Sequence, residues 1–289
     1  MRVLSPAGAY VLAHPGTFAR RVVKGFQSNQ GLLLAGAVAY YALLSVVPLL
    51  ILVVIALSHW VEQRELLETL GRYLEWIIPG QSRAIVAELS NFVEHRSVIG
   101  WLLLGTMLFF SSLAFTVLEK AMAVIFLHRF AIRRRHFLVS ALLPYLYILS
   151  LGVGLLVITF VAGAIQAMGE NSIRFLGGEW SLEGFSGVLL YLLGLSGEIF
   201  LLTSIYMVMP VGRLSWRHAL LGGVTAALLW EVTRRVLVWY FSTLSTVSVV
   251  YGSLTTSIIV LFSLEIAATL LLLGAQVISE YERIERTSG

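Results

Sequence analysis

The chain has 289 residues, of which 58% are hydrophobic and only 12% charged, with a formal net charge of +4. A soluble domain carries about 25% charged residues, so this composition argues against a soluble protein and for an integral membrane one. With no cysteine in the chain, a disulfide framework, a thiolate nucleophile and a cysteine metal site are excluded.

Residues 1–30 form a mixed N-terminal segment that reads as a short helix at the membrane surface. Arg20, Arg21 and Lys24 precede an apolar run that continues to Leu57. That run is longer than the roughly 7–15 apolar residues of a cleaved signal, so it is expected to be an uncleaved first span over 31–58. Gly36, Ala37 and Ala39 make one side of this span small, which permits close helix approach. Pro48 lies inside it, where a missing N–H favours a kink.

Residues 59–97 change character. Arginines and glutamates are mixed with Leu66, Leu67, Leu70, Leu74 and Ile77 at helical spacing, and Pro79-Gly80 breaks the pattern before Ile85, Val86, Leu89 and Phe92 resume it. Two amphipathic helices resting on the membrane or capping the bundle fit this pattern; so does an ordinary extramembrane hairpin.

Further spans are expected at 98–125, 137–168, 185–209, 218–241 and 251–278. They are joined by a basic loop (128–136), an acidic, Gly-containing loop (169–184), a short loop (211–217) and a Ser/Thr-rich segment (242–250), and followed by a charged tail. The fold class is thus all-α: a polytopic membrane protein of six transmembrane helices, with the amphipathic hairpin between spans one and two. It is expected to form a single integral membrane domain over 1–289, with 1–30 and 279–289 cytoplasmic and 59–97 periplasmic.

Orientation follows from the basic residues. One side holds Arg2, Arg20, Arg21, Lys24, Arg129, Arg133, Arg134, Arg135, Arg213, Arg217, Arg283 and Arg286; the other holds only Arg64, Arg72, Arg83, Arg96 and Arg174. The positive-inside rule then places both termini in the cytoplasm. Spread over short loops in this way, the basic residues are topology signals and not a nucleic-acid footprint.

Charge inside the spans is the main functional signal, since a charged residue at mid-bilayer depth costs about 2.5–3.5 kcal/mol on insertion scales. Glu231, Arg234 and Arg235 sit near the middle of the fifth span at spacings i, i+3 and i+4, so they share one helix face. Glu198 and Glu265 lie near the centres of the fourth and sixth spans. Together they make a candidate substrate-binding or charge-relay group, because guanidiniums suit a carboxylate or phosphate. The competing reading is that Glu231 pairs with the arginines and locks helices together, with Arg235 snorkelling to the outer surface. Tyr40, Tyr41 and Pro48 in the first span, and Tyr251 and Gly252 at the start of the sixth, are candidates for cavity lining or helix breaks; packing is the plainer role for the tyrosines.

An enzyme is not expected. The histidines lie in loops or at span ends, no two form a metal pair of the H-E-x-x-H kind, and Gly194-Leu195-Ser196-Gly197 is not a nucleophile elbow. All 16 acidic residues are glutamate, which removes aspartate-based Mg²⁺ sites. No catalytic residue, metal or cofactor is expected.

Several stretches carry a resemblance: AYYALLSVVPLL (39–50), the run from Pro210 through Arg217, ALLGGVTAALLWE (219–231), VYGSL (250–254) and LLLGAQVISE (271–280). In their order and spacing they resemble the YihY/BrkB family of bacterial inner-membrane proteins, once labelled ribonuclease BN. The resemblance implies six helices, an inner-membrane location with both ends cytoplasmic, and links to serum resistance and to transport of lipids or other envelope components. The chain departs from the family pattern at Gln276, where the family often has Glu, and at Phe262, Leu264 and Glu265, where the family is often rich in Trp and Tyr. The expected function is a transporter or flippase-like protein for an anionic lipid or other envelope amphiphile. The alternative is a scaffold that binds envelope partners through 59–97. Expected partners are membrane lipids and envelope proteins, with no nucleic acid.

Overall fold

A computed structural model describes residues 6–57, 62–77, 81–94, 101–127, 183–210, 214–243 and 255–288, with residues 146, 147, 150, 153, 154, 157, 160, 161, 173–175 and 178–180 between them. Helices dominate: α1 (Pro6–Ala13), α2 (Pro15–Ser28), α3 (Gly31–Leu57), α4 (Gln63–Ile77), α5 (Ser82–Glu94), α6 (Trp101–Ile125), α7 (Glu183–Val208), α8 (Trp216–Thr243) and α9 (Thr255–Ser288). A two-stranded antiparallel ribbon, β1 (Ile173–Phe175) and β2 (Gly178–Trp180), stands within the segment expected to be a plain loop, and its register pairs Arg174 with Glu179.

The N-terminal segment is two helices instead of one. Pro15 opens α2, a position where its missing N–H is no loss. Val22 and Phe26 are buried while Arg20 and Lys24 on the far side are exposed. Gln30 adopts a left-handed conformation, φ 54°, which turns the chain into α3.

α3 is one helix of 27 residues that runs through Pro48 and packs along α6. Ser45 is buried in this contact. Its hydroxyl donates to the Phe110 carbonyl at 2.6 Å and accepts from the Ala114 N–H at 3.2 Å. Phe110 and Ala114 are the two ends of one i→i−4 bond, so the hydroxyl of one helix enters the hydrogen-bond ladder of the other. The amphipathic hairpin caps this pair: Leu67 and Leu70 of α4 and Leu89 of α5 share a buried cluster with Ile51 and Val54 of α3 and Met107 of α6. Much of its apolar face is thus spent on the bundle. Residues 78–80, including Pro79-Gly80, lie outside the described residues.

On the other side α8 packs between α7 and α9. Gly223 faces α7: a β-carbon there would stand 3.1 Å from the Ile199 carbonyl oxygen and 3.1 Å from the Thr203 nitrogen. Gly222 faces α9, where a β-carbon would meet the Ile278 side chain and stand 3.2 Å from the Gly274 carbonyl. At Gly274 in turn a β-carbon would meet the Tyr206 hydroxyl and stand 3.1 Å from both the Ala226 side chain and the Gly222 carbonyl. Small residues one turn apart thus bring backbones into direct contact, the usual way helices associate in lipid, where burial of apolar area drives little. Tyr206 of α7 is fully buried and donates to the Leu271 carbonyl of α9 at 2.7 Å. Tyr147 donates to the Leu201 carbonyl and bonds Ser204, which ties the stretch expected as span three to α7.

Among the described residues three stretches are long and apolar enough to cross a membrane: Gly105–Ile125, Val188–Val208 and Ser257–Thr287. This is fewer than the six expected. α8 has 28 residues but carries the three mid-helix charges, and most of 137–168 lies outside the described residues. The sixth span was expected to end at 278, yet α9 continues to Ser288. The charge that ends the apolar run contains no helix breaker, and Glu280, Glu282 and Ile284 are buried against neighbouring helices.

Because Gly223 and Gly274 sit against backbone, Gly223→Val and Gly274→Ala are expected to lower the thermal midpoint in detergent, by about 1–3 kcal/mol of overpacking each. Gly105, with no atom within 4 Å of its β-position, gives the opposite sign: Gly105→Ala is expected to be neutral or to stabilise by roughly 0.5–1 kcal/mol of helix propensity.

Candidate functional site

The charged group stands on α8 where it faces α7. Helical spacing brings Glu231, Arg234 and Arg235 onto one side, and the structure joins all three. Arg234 donates to both Glu231 carboxylate oxygens at 3.0–3.3 Å, a forked contact. Arg235 donates to Glu231 Oε1 from Nε at 3.3 Å and from Nη2 at 3.2 Å. Tyr191 of α7 donates its hydroxyl to the same oxygen at 3.1 Å. A single carboxylate therefore accepts from two guanidiniums and a phenol.

The three charged side chains differ in exposure. Glu231 is 12% exposed and Arg234 23%, whereas Arg235 is 72% exposed. The Arg235 guanidinium opens onto a face of α8 where Leu228, Val232, Val236 and Trp239 are also exposed. One cation thus sits in a strip of apolar side chains at i, i+4, i+8 and i+11.

Glu198 of α7 is close enough to Glu231 and Arg234 for both charges to act on it. Both its carboxylate oxygens are buried and, among the described residues, have no hydrogen-bond partner. Such a group is costly to bury, and its place beside the ion pair marks this part of the α7–α8 contact as chemically unusual.

The structure does not bring the remaining expected residues here. Glu265 belongs to the α9–α3 contact: its Oε1 lies 3.9 Å from the β-position of Gly36, and its backbone carbonyl accepts from Thr269 at 2.8 Å. Tyr40 is exposed and Tyr41 half-buried on α3, their rings edge to face at 5.2 Å. Pro48 is half-buried inside continuous helix. Tyr251 and Gly252 lie outside the described residues. Among the described residues no group of three or more His, Cys, Asp or Glu converges as metal ligands would.

A second polar group escaped sequence reasoning. Gln276 of α9 is fully buried. It accepts from Asn29 at 2.9 Å and donates to Glu280 at 3.2 Å, while Arg283 donates to Glu280 at 3.2 Å. Gly25 of α2 is pressed against Gln276 and Glu280 with no room for a side chain. The available signal was spacing: residues 276, 280 and 283 repeat at i, i+4 and i+7 across the end of an apolar run.

Glu231 is the hub of its group, whereas Arg235 hangs from it. Glu231→Ala is therefore expected to lower the thermal midpoint more than Arg235→Ala, with Tyr191→Phe between them. Scanning fluorimetry on the purified variants checks the order; equal losses for Glu231→Ala and Arg235→Ala would show that the trio is not organised around Glu231.

No solved structure matches the chain. It is similar to curated proteins called UPF0761 membrane protein. One from Azotobacter vinelandii is 26% identical over 262 residues, covering 90% of this chain and 62% of that protein. One from Rhodospirillum centenum is 28% identical over 270 residues, covering 89% and 56%. One from Aggregatibacter aphrophilus is 25% identical over 263 residues, covering 90% of each. The chain thus spans about three-fifths of the length of the first two relatives. The family model described as virulence factor BrkB matches residues 22–289, nearly the whole chain. With its mostly helical fold and long apolar helices, the chain is a membrane protein that belongs to the BrkB family.

Proposed function

We propose that this protein moves an anionic lipid or similar amphiphile across the inner membrane, with Arg235 and Arg234 receiving the anionic group. The observation that carries the reading is the exposed Arg235 guanidinium set among Leu228, Val232, Val236 and Trp239. A headgroup phosphate or carboxylate matches the fork of a guanidinium, and acyl chains match the apolar strip beside it. Glu231 holds the guanidinium in place and limits the net charge at this depth. Glu198, close by and without a hydrogen-bond partner among the described residues, supplies a group able to change its charge during a cycle.

The scaffold alternative is less well supported. Much of the apolar face of α4 and α5 is already occupied by α3 and α6, which leaves a partner mainly polar positions such as the exposed Arg64–Glu68 pair among the described residues.

The reading includes six crossings with both termini in the cytoplasm, α3 and α8 among them and another in 137–168. Because the chain has no cysteine, single introduced thiols report topology directly. Arg64→Cys is expected to react with an impermeant maleimide in intact spheroplasts. Arg217→Cys is expected to react only after permeabilisation, and the reverse result refutes this orientation.

Transport is tested in proteoliposomes with fluorescent anionic and zwitterionic phospholipids. Arg235→Ala and the Arg234→Ala/Arg235→Ala pair are expected to slow translocation of the anionic lipid by about tenfold or more, the effect of losing a charge-assisted hydrogen bond. Rates equal to wild type in folded variants would sink the role of these arginines. Loss of folding without loss of transport in the surviving fraction would assign the trio to helix locking.

A further inference from the structure

Away from the charged group, the first turn of α8 meets the last turns of α9 through a histidine. His218 Nδ1 lies 3.3 Å from Glu282 Oε1, and His218 Nε2 lies 3.2 Å from Glu285 Oε2. The imidazole is mostly enclosed, and Glu282 is buried. The Tyr281 ring covers one side, its centroid 5.4 Å from that of His218.

The chemistry of this contact is restrictive. A neutral imidazole has one N–H donor and one lone pair, and an ionised carboxylate only accepts. Both contacts are hydrogen bonds only when both ring nitrogens carry protons. In the neutral ring, one nitrogen presents its lone pair to a carboxylate. We propose that His218, Glu282 and Glu285 form a proton-binding latch whose imidazolium form fastens the start of α8 to the end of α9.

The groups that face His218 from α9 are Glu282, Glu285 and Tyr281. Arg286 stands one turn beyond Glu282 on the same helix. On α8 itself the neighbour is Arg217, which is exposed. The N-terminal end of a helix disfavours a cation, so the two carboxylates must offset the α8 dipole as well as the cost of enclosing the charge. Glu282 and Glu285 are three residues apart and present both oxygens from one side of α9. Glu280, the third acid in this stretch, is engaged by Arg283 and Gln276.

The sign follows. The latch is closed while the imidazolium persists. It loosens when the ring gives up one proton, because one of the two carboxylates then faces a lone pair. His218 is 13 residues from Glu231, roughly 20 Å along the same helix. The same helix thus carries the latch at one end and the charged group further along. The latch stands whether or not the protein is a transporter, since it rests on different residues and is read out by distance alone.

The absence of cysteine makes the test clean. Spin labels at Trp216→Cys and Thr287→Cys, both exposed positions, report the α8–α9 separation in nanodiscs by pulsed dipolar spectroscopy. A narrow distance distribution is expected at about pH 5.5, and one broadened about twofold at about pH 8.5, as the imidazolium is lost. His218→Gln and the Glu282→Gln/Glu285→Gln pair are expected to give the broad distribution at both values. Identical distributions in the otherwise unmodified chain at both pH values overturn the latch, as does a full pH response in His218→Gln. The first comparison alters none of the three latch residues, so a folding defect in the variants leaves the test standing.

Discussion

Gly222 and Gly223 point to different neighbours, and that pair fixes where α8 sits. Adjacent residues on a helix are about 100° apart, so one glycine meets α9 and the next meets α7. With β-carbons in these places both neighbours would have to retreat, because the atoms opposite include backbone. Close approach matters here because lipid supplies no hydrophobic drive between helices. The Tyr191 bond to Glu231 and the Tyr206 bond to α9 both require helices at this spacing. The charged group is therefore a consequence of the packing: α7 comes near enough to place a phenol on a carboxylate that already holds two arginines.

Several polar side chains in this fold reach across from one helix to another. Ser45, Tyr147, Tyr206 and Ser279 each reach a backbone carbonyl of another helical segment. Gln276 and Glu280 satisfy one another at the α2–α9 contact. In surroundings without water such bonds are what make a buried polar side chain tolerable. Among the described residues Thr203, Ser263 and Glu198 have buried polar atoms without a partner, and of these Glu198 is the one that can carry a charge.

Much of the architecture was legible in the sequence. α3, α6, α7 and α8 begin and end within a few residues of the expected spans, because long apolar runs set helix limits in a membrane chain. The i, i+3, i+4 spacing gave the Glu231 trio. Spacing along one helix does not give the rotation of another, so Glu198 and Glu265 were both assigned to the trio although Glu265 faces α3. The role of the glycine pair was hidden for the same reason: it depends on which helix lies opposite. The sixth span was expected to reach 278, where the apolar run ends, and the charged tail after it continues the same helix to Ser288. There it becomes the inner lining of a contact with α2 and α8. Two short strands at 173–180 carry too few residues to show a period.

The hydroxyl of Ser45 ties two helices in a way that limits how they can move. To slide one turn along α6, α3 would have to break a donated and an accepted hydrogen bond at once, with no water to take their place. Rotation of the two as a joined plank needs neither bond broken. The hairpin of α4 and α5 rides on that plank, since its leucines are buried against both members. The same contact therefore favours movement of α3, α6 and their cap as one body over sliding of one helix along the other.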